Sequence, residues 1–336
     1  MDFGNLIGQD RVKATLSEIV SSDRVSHAYL FNGPSGVGKK SFARVFAGSV
    51  MCPNAEKKTG DRCGVCECCV LLDNDTNPDF KVIRPEEGKS GIGVETVREM
   101  QEDMVKAPVF GIRKVYVLDG AEKMTEQAQN AFLKILEEPP SYVLMLLLCD
   151  NTLSILDTIK SRVIRVDFSR NSDAEIRAKY KMLCEQRNIS PEDVKQELLC
   201  SYADGIMGRV LDFFDGDGVR EKRREVMEAL KALLHGDIRA KMKMTELIGG
   251  KGNYDFVLFT LISYMRDVML TARFGRHADL QNPDYGDDIY ALSRDIGYYR
   301  AKNCIDAIDR CYKKLKRNAS PDVAVDYMLI ELRESV

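Results

Sequence analysis

Between residues 28 and 166, short apolar runs alternate with stretches of helical spacing. The runs are Ala28-Tyr29-Leu30-Phe31, Phe80-Lys81-Val82-Ile83, Lys114-Val115-Tyr116-Val117-Leu118, Val143 to Cys149, and Val163-Ile164-Arg165-Val166. Runs this short read as strands, and the fourth, apolar throughout, reads as a strand buried on both faces. Ahead of the first run, Val12, Leu16, Ile19 and Val20 share a helical face that breaks at Ser21-Ser22-Asp23. Later helices are predicted over Val94 to Lys106 and Thr125 to Glu138, the second capped by Thr125 and stopped by Pro139-Pro140. Strands alternating with helices predict a parallel sheet covered on both faces, with ligand sites at the carboxyl ends of the strands.

From Ser169 onward the strand signals end. Asp173 to Arg187, Pro191 to Ala203 and Gly208 to Phe214 read as short charged helices, a small helical lid, and Gly216-Asp217-Gly218 reads as a linker. Beyond it, longer helices are predicted over Val219 to Leu234, Tyr254 to Arg273, Tyr299 to Lys316 and Asp322 to Leu332. Tyr254 to Arg273 is apolar on most sides, which places it in the middle of a bundle. There is no internal repeat or low-complexity tract.

A length of 336 residues suggests two or three domains. With 44% hydrophobic and 30% charged residues, a net charge of −3 and a pI near 5.8, the chain reads as globular and offers no global argument for nucleic-acid affinity. No apolar stretch approaches the roughly 18 residues of a membrane span, and the start Met-Asp-Phe-Gly-Asn lacks a signal-peptide pattern, so a cytoplasmic location is expected. Ten cysteines in such a chain, about half of them clustered, favour metal ligation over disulfides.

The first strand runs into Gly33-Pro34-Ser35-Gly36-Val37-Gly38-Lys39-Lys40-Ser41, a phosphate loop opening a helix. Its glycines let backbone N–H groups converge on a phosphate, and Lys39 would reach the outer phosphates. The motif requires a hydroxyl after the lysine to ligate Mg²⁺, and Lys40 stands there instead; Ser41 points about 100° away round the helix. Asp119 ends the third strand where a P-loop ATPase keeps an acid for the metal shell, but the following position is Gly120, with Glu122 two further on, so the general base is missing. The loop is thus able to hold ATP or ADP without hydrolysing it. Cys52, Cys63, Cys66 and Cys69 can converge on a tetrahedral centre, with Cys68 as an alternative to Cys69. Thiolate-only ligation favours a structural Zn²⁺, with an Fe–S cluster as the chemical alternative. Cys149, Cys184, Cys200, Cys304 and Cys311 read as small core residues. In Thr158-Ile159-Lys160-Ser161-Arg162-Val163, Arg162 precedes the fifth strand; an arginine at a subunit boundary can supply charge to a neighbour's γ-phosphate, though an isolated one is more often a surface cation. His27 is read as packing beside the first strand rather than as a base.

With these residues placed, the chain resembles the bacterial DNA polymerase III clamp-loader subunits of the AAA+ class. The marks are Ile7-Gly8-Gln9, Ser26-His27-Ala28-Tyr29-Leu30, Asn77-Pro78-Asp79-Phe80, the cysteine insertion and, most specific, Asn130-Ala131-Phe132-Leu133-Lys134-Ile135-Leu136-Glu137-Glu138-Pro139-Pro140. The resemblance implies a P-loop AAA+ domain over 1–168 with a zinc module at about 52–69, an all-helical lid over 169–216 and an all-helical collar over 217–336. Asn318 to Leu329 resembles the end of that collar. The resemblance also implies a place among gamma/tau and delta subunits in a pentameric ring that loads a sliding clamp onto primed DNA. Lys40 and Gly120 favour the non-hydrolysing stator of that ring. Ser161-Arg162-Val163 is similar to the family's S-R-C motif, which implies that Arg162 acts in a neighbouring ATPase site; Arg209, in Gly205-Ile206-Met207-Gly208-Arg209, would be the phosphate sensor. Cys149-Asp150-Asn151 departs from the family pattern and carries over no role. The rivals are an ATP-hydrolysing gamma/tau-type motor and a zinc-containing DNA-repair ATPase.

Overall fold

The computed structural model describes residues 2–56, 58–85, 91–188, 199–200, 203–212, 218–234, 236–249, 254–316 and 319–334. The chain divides into two compact units, one of Met1–Ile189 with Ala203–Arg209, the other of Ser190–Tyr202 with Val210–Val336.

The first unit is built on β1 (Ala28–Asn32), β2 (Phe80–Ile83), β3 (Lys114–Asp119), β4 (Val143–Cys149) and β5 (Ile164–Asp167). They form one parallel sheet in the order β2-β3-β4-β1-β5. Its helices are α1 (Asp10–Ser21), α2 (Lys39–Met51), α3 (Glu67–Asp73), α4 (Val94–Met104), α5 (Glu126–Glu137), α6 (Asp157–Lys160) and α7 (Asp173–Arg187). Alternation along the strands separates two cores. Tyr29, Phe31, Val115, Val117, Leu144 and Leu146 face the α2 side, where Phe42 and Phe46 pack; Ala28, Leu30, Tyr116, Leu118, Met145 and Leu147 face the α5 side around Phe132. All seven residues of β4 are buried, as expected for a central strand. The Thr125 hydroxyl accepts the Ala128 N–H and caps α5, and Ser172 with Glu175 forms a capping box on α7.

The second unit is helical among the described residues: Gly218–Leu234, Ile238–Gly249, Tyr254–Phe274, Gly286–Lys316 and Pro321–Glu334. Tyr254–Phe274 contributes Leu258, Leu261, Tyr264, Met265 and Val268 to one shared core, the central place its composition predicts. The sequence pattern underestimates this unit. Ile238–Gly249 is an unpredicted helix, and the helix predicted from Tyr299 begins at Gly286, interrupted at Gly297 by a backbone φ of 68°. Buried Ala240, Met244 and Ile248, and buried Ile289, Leu292 and Ile296, carry the helical spacing that marks both segments. Most of the helix predicted over Pro191 to Ala203, the Gly216-Asp217 part of the linker, the end of the one predicted over Gly208 to Phe214, and Asn318 lie outside the described residues. Cys149, Cys184, Cys200, Cys304 and Cys311 are all buried, in keeping with their reading as core residues. No helix among the described residues is long and apolar enough to cross a membrane.

Candidate nucleotide site and thiol cluster

The phosphate loop links β1 to α2, and two of its glycines are required by what surrounds them. A Cβ on Gly33 would sit 2.4 Å from the Phe168 carbonyl, and one on Gly36, at φ +78°, would meet Ile206 Cγ2 at 2.7 Å. The Gly208 N–H donates to the Gly36 carbonyl at 2.8 Å, so the segment before Arg209 is tied to the loop. Lys39 is buried. Its ammonium donates to Gly33 O at 2.6 Å, Pro34 O at 2.9 Å and Asp150 Oδ1 at 2.7 Å, which uses all three N–H groups. Lys40 lies in the first turn of α2, its Nζ 2.7 Å from Asp119 Oδ2 at the end of β3. Ser41 is exposed.

Asp150 is the residue that sequence reasoning missed. It follows β4, and β4 pairs directly with β1, so its place at the carboxyl edge beside the loop was the available signal. Gly120, at φ 86°, turns the chain out of β3 into a short 3₁₀ turn that carries Glu122. Burial raises the Glu122 carboxyl, with the nearby Asp150 charge adding to it while the backbone N–H groups of Glu122 and Asp150 oppose. One Glu122 oxygen is buried without a hydrogen-bond partner.

On the other side of α2, Cys52, Cys63, Cys66 and Cys69 place their sulfur atoms within 4.8 Å of one another. Cys52 Sγ lies 3.5 Å from Cys63 Sγ and 3.8 Å from Cys66 Sγ. A tetrahedral zinc with bonds of about 2.3 Å has sulfur-to-sulfur edges of about 3.8 Å, so the donor set fits such an ion. Backbone N–H groups of Val65 and Cys66 point at Cys63 and lower its thiol to about 6, a microenvironment built for a thiolate. Cys68 faces away: its Sγ accepts from Asn77 Nδ2 at 3.5 Å and lies 3.8 Å from Met51 O, and burial pushes its thiol up to about 11. The geometry therefore groups Cys69, not Cys68, with the other three. The support comes from Asp79, which accepts N–H groups from Val109, Phe110 and Gly111 at 2.7 to 3.0 Å and so fixes a loop against Met51 and Cys68.

Arg162 sits after α6, where the turn feeds β5. Its guanidinium donates to Thr158 O at 3.0 Å and to Glu137 Oε1 at 3.1 Å, and it stays partly exposed. Arg209 has Nη1 4.0 Å from Asp204 Oδ2, and its backbone N–H donates to Ile206 O at 3.1 Å. His27 is half-buried before β1, with Nε2 enclosed and without a hydrogen-bond partner, which agrees with a packing role. The phosphate-loop residues and the thiols thus form two separate clusters at opposite ends of α2, and Arg162 belongs to neither.

A five-stranded parallel sheet with a phosphate loop after β1, an aspartate closing β3 and a helical continuation defines a P-loop protein of the AAA+ class. A family model described as DNA polymerase III, delta subunit, matches residues 8–172. The delta' subunit of DNA polymerase III from Pseudomonas aeruginosa is 34% identical over 228 residues, covering 68% of this chain and 67% of that protein. The gamma/tau subunit from Mycobacterium tuberculosis is 31% identical over 256 residues, 76% of this chain and 41% of that protein. The tau subunit from Bacillus subtilis is 27% identical over 349 residues, 98% of this chain and 61% of that protein. The chain belongs to the DNA polymerase III clamp-loader subunits of the AAA+ class. It spans about two fifths of the length of the mycobacterial gamma/tau protein.

Proposed function

We infer that the chain is the delta'-type stator of a clamp loader, a subunit that assembles with gamma/tau-type and delta-type subunits in a pentameric ring and helps place a sliding clamp on primed DNA. The observation that carries this reading is the Lys40 to Asp119 ion pair, standing where an ATPase keeps a hydroxyl, a metal and an acid. With Gly120 in place of the general base, its own hydrolysis is absent or weak. Its catalytic contribution is Arg162, presented to a neighbouring subunit's ATP, with Glu137 holding the guanidinium in place in the free chain. Arg209, beside the loop, senses phosphate. The four grouped cysteines hold a structural Zn²⁺ in an insertion at about 52–69. In domain terms the proposal is an AAA+ domain over 1–168, a lid over 169–216 and a collar over 217–336.

The test is Arg162→Ala in a reconstituted loader. Assembly should persist while DNA-stimulated ATP turnover falls by at least tenfold, such arginines being worth about 10³ to 10⁵ where they act alone on the rate. Undiminished turnover overturns the reading. The gamma/tau matches favour a second reading, a motor subunit, and robust turnover by the purified chain alone would decide for it.

A further inference from the structure

An ordinary P-loop site needs a divalent cation between the β- and γ-phosphates, ligated by the hydroxyl after the loop lysine and backed by the aspartate of the neighbouring strand. The residues here do not fit Mg²⁺. Lys40 occupies the hydroxyl position, and an ammonium has three donors and no lone pair, so it repels a second cation at that point. Its Nζ lies 2.7 Å from Asp119 Oδ2, and the Asp119 side chain is mostly buried while that of Lys40 is 73% exposed. A fixed carboxylate therefore holds an ammonium at the mouth of the loop, with N–H groups left over to point at a ligand.

The second ammonium is arranged differently. Two of the three acceptors of Lys39 are loop carbonyls, Gly33 O and Pro34 O. The third is Asp150, whose side chain is 47% exposed and can swing into water. An anionic oxygen entering the loop can take the place of Asp150 on Lys39 without disturbing the carbonyl contacts. The loop backbone supplies the remaining N–H donors, held in shape by Gly36 and by its bond to Gly208.

We propose that this loop binds a nucleoside di- or triphosphate without any metal, the Lys40 ammonium on Asp119 standing permanently in the place of Mg²⁺. The ligand class follows from the donors: loop N–H groups and two ammonium groups, Lys39 and Lys40, each on its own carboxylate, suit a chain of two or more phosphates rather than a single one. A single positive charge that cannot coordinate the attacking water or the leaving oxygen gives binding without turnover. The proposal deepens the reading of the site as non-hydrolysing and rests on it.

The experiment is a titration of the full chain with a fluorescent ADP, in excess EDTA and in millimolar Mg²⁺, with unlabelled ADP and pyrophosphate as competitors. The affinities in the two conditions should agree within about twofold for the native chain. Lys40→Thr, which restores the hydroxyl and removes the ammonium, should bind about tenfold more weakly in EDTA and recover on adding Mg²⁺. Lys40→Gln, which offers neither charge nor a metal ligand suited to the site, should bind weakly in both conditions. Lys40 is exposed in the first turn of a helix, so neither variant should lose the fold, and circular dichroism checks this. Native binding that Mg²⁺ strengthens by more than twofold, no saturable binding, or a Lys40→Thr variant unchanged in EDTA each overturns the proposal. Those results leave the stator reading standing, because that one is decided by Arg162→Ala in the assembled loader.

Discussion

Asp79 is 1% exposed, and a carboxylate that deep must have its lone pairs filled. Three successive N–H groups, those of Val109, Phe110 and Gly111, fill them, and Asn77 braces the same turn by accepting the Asp79 N–H and donating to Cys68 O. Asp79→Ala removes the acceptor of three partly buried donors and should lower stability by about 2 kcal/mol, measured by urea unfolding. The motif Asn77-Pro78-Asp79-Phe80 was legible as a family mark, but its job was not, since the amides it binds lie about 30 positions away. Gln9 is a similar case. Its side chain bonds the backbone of Ser169 and the side chain of Asn171, and the Gly8 beside it is packed so closely that a Cβ would lie 2.3 Å from Asn171 Oδ1. A local motif shows that a residue type is needed; it does not show which distant backbone it meets.

At the scale of elements, α4 is fastened to the edge of the sheet by one carboxylate. Burial alone would raise the Asp103 carboxyl, but hydrogen bonds from Lys81, Tyr116 and Lys114 outweigh it and hold it well below the usual carboxylate range. Because its folded value is depressed, its stabilisation is complete above the unfolded value of about 4 and is lost as pH falls below that. Asp103→Asn leaves buried Lys114 without its charge partner and should cost about 3 kcal/mol at neutral pH. The gap to the native chain should narrow as unfolding is repeated from pH 5 towards about pH 2. The thiol module is the second case. It contains α3, only seven residues long, and connects α2 to β2 largely through irregular chain. So short a helix is marginal by itself. Stripping metal with a strong chelator should therefore lower the melting temperature of the chain and expose the four thiols to a titrant. Elemental analysis should give one zinc per chain before treatment and none after. A native chain free of zinc would leave the four cysteines as ordinary reduced thiols.

At the scale of the whole molecule, the sheet with its two cores presents the phosphate loop, Asp119 and Asp150 along one edge, while the helical unit has a single core of its own. With Lys40 on Asp119 and Gly120 after it, the purified chain should release phosphate from ATP at no more than the background rate, and turnover should appear only when motor subunits are added. From one chain alone the five strands and the helices α1, α2, α4, α5 and α7 were legible in order, as were the phosphate loop with its substituted position, the cysteine set and the clamp-loader family; the short helices α3 and α6 were not. Periodicity, turn residues and motif spacing are local properties, so one chain is enough to read them. Which groups meet is a property of the folded chain. The fold turned Cys69 towards the other thiols and Cys68 towards Asn77, put Arg162 on Glu137, and joined Lys39 to Asp150 across 111 positions of chain. It also put the Lys40 ammonium on Asp119, so that a position that reads as a lost ligand holds a bound cation. Such pairings follow from the register of parallel strands and the packing of α2 on them, and that register is fixed by the whole core rather than by any segment of it.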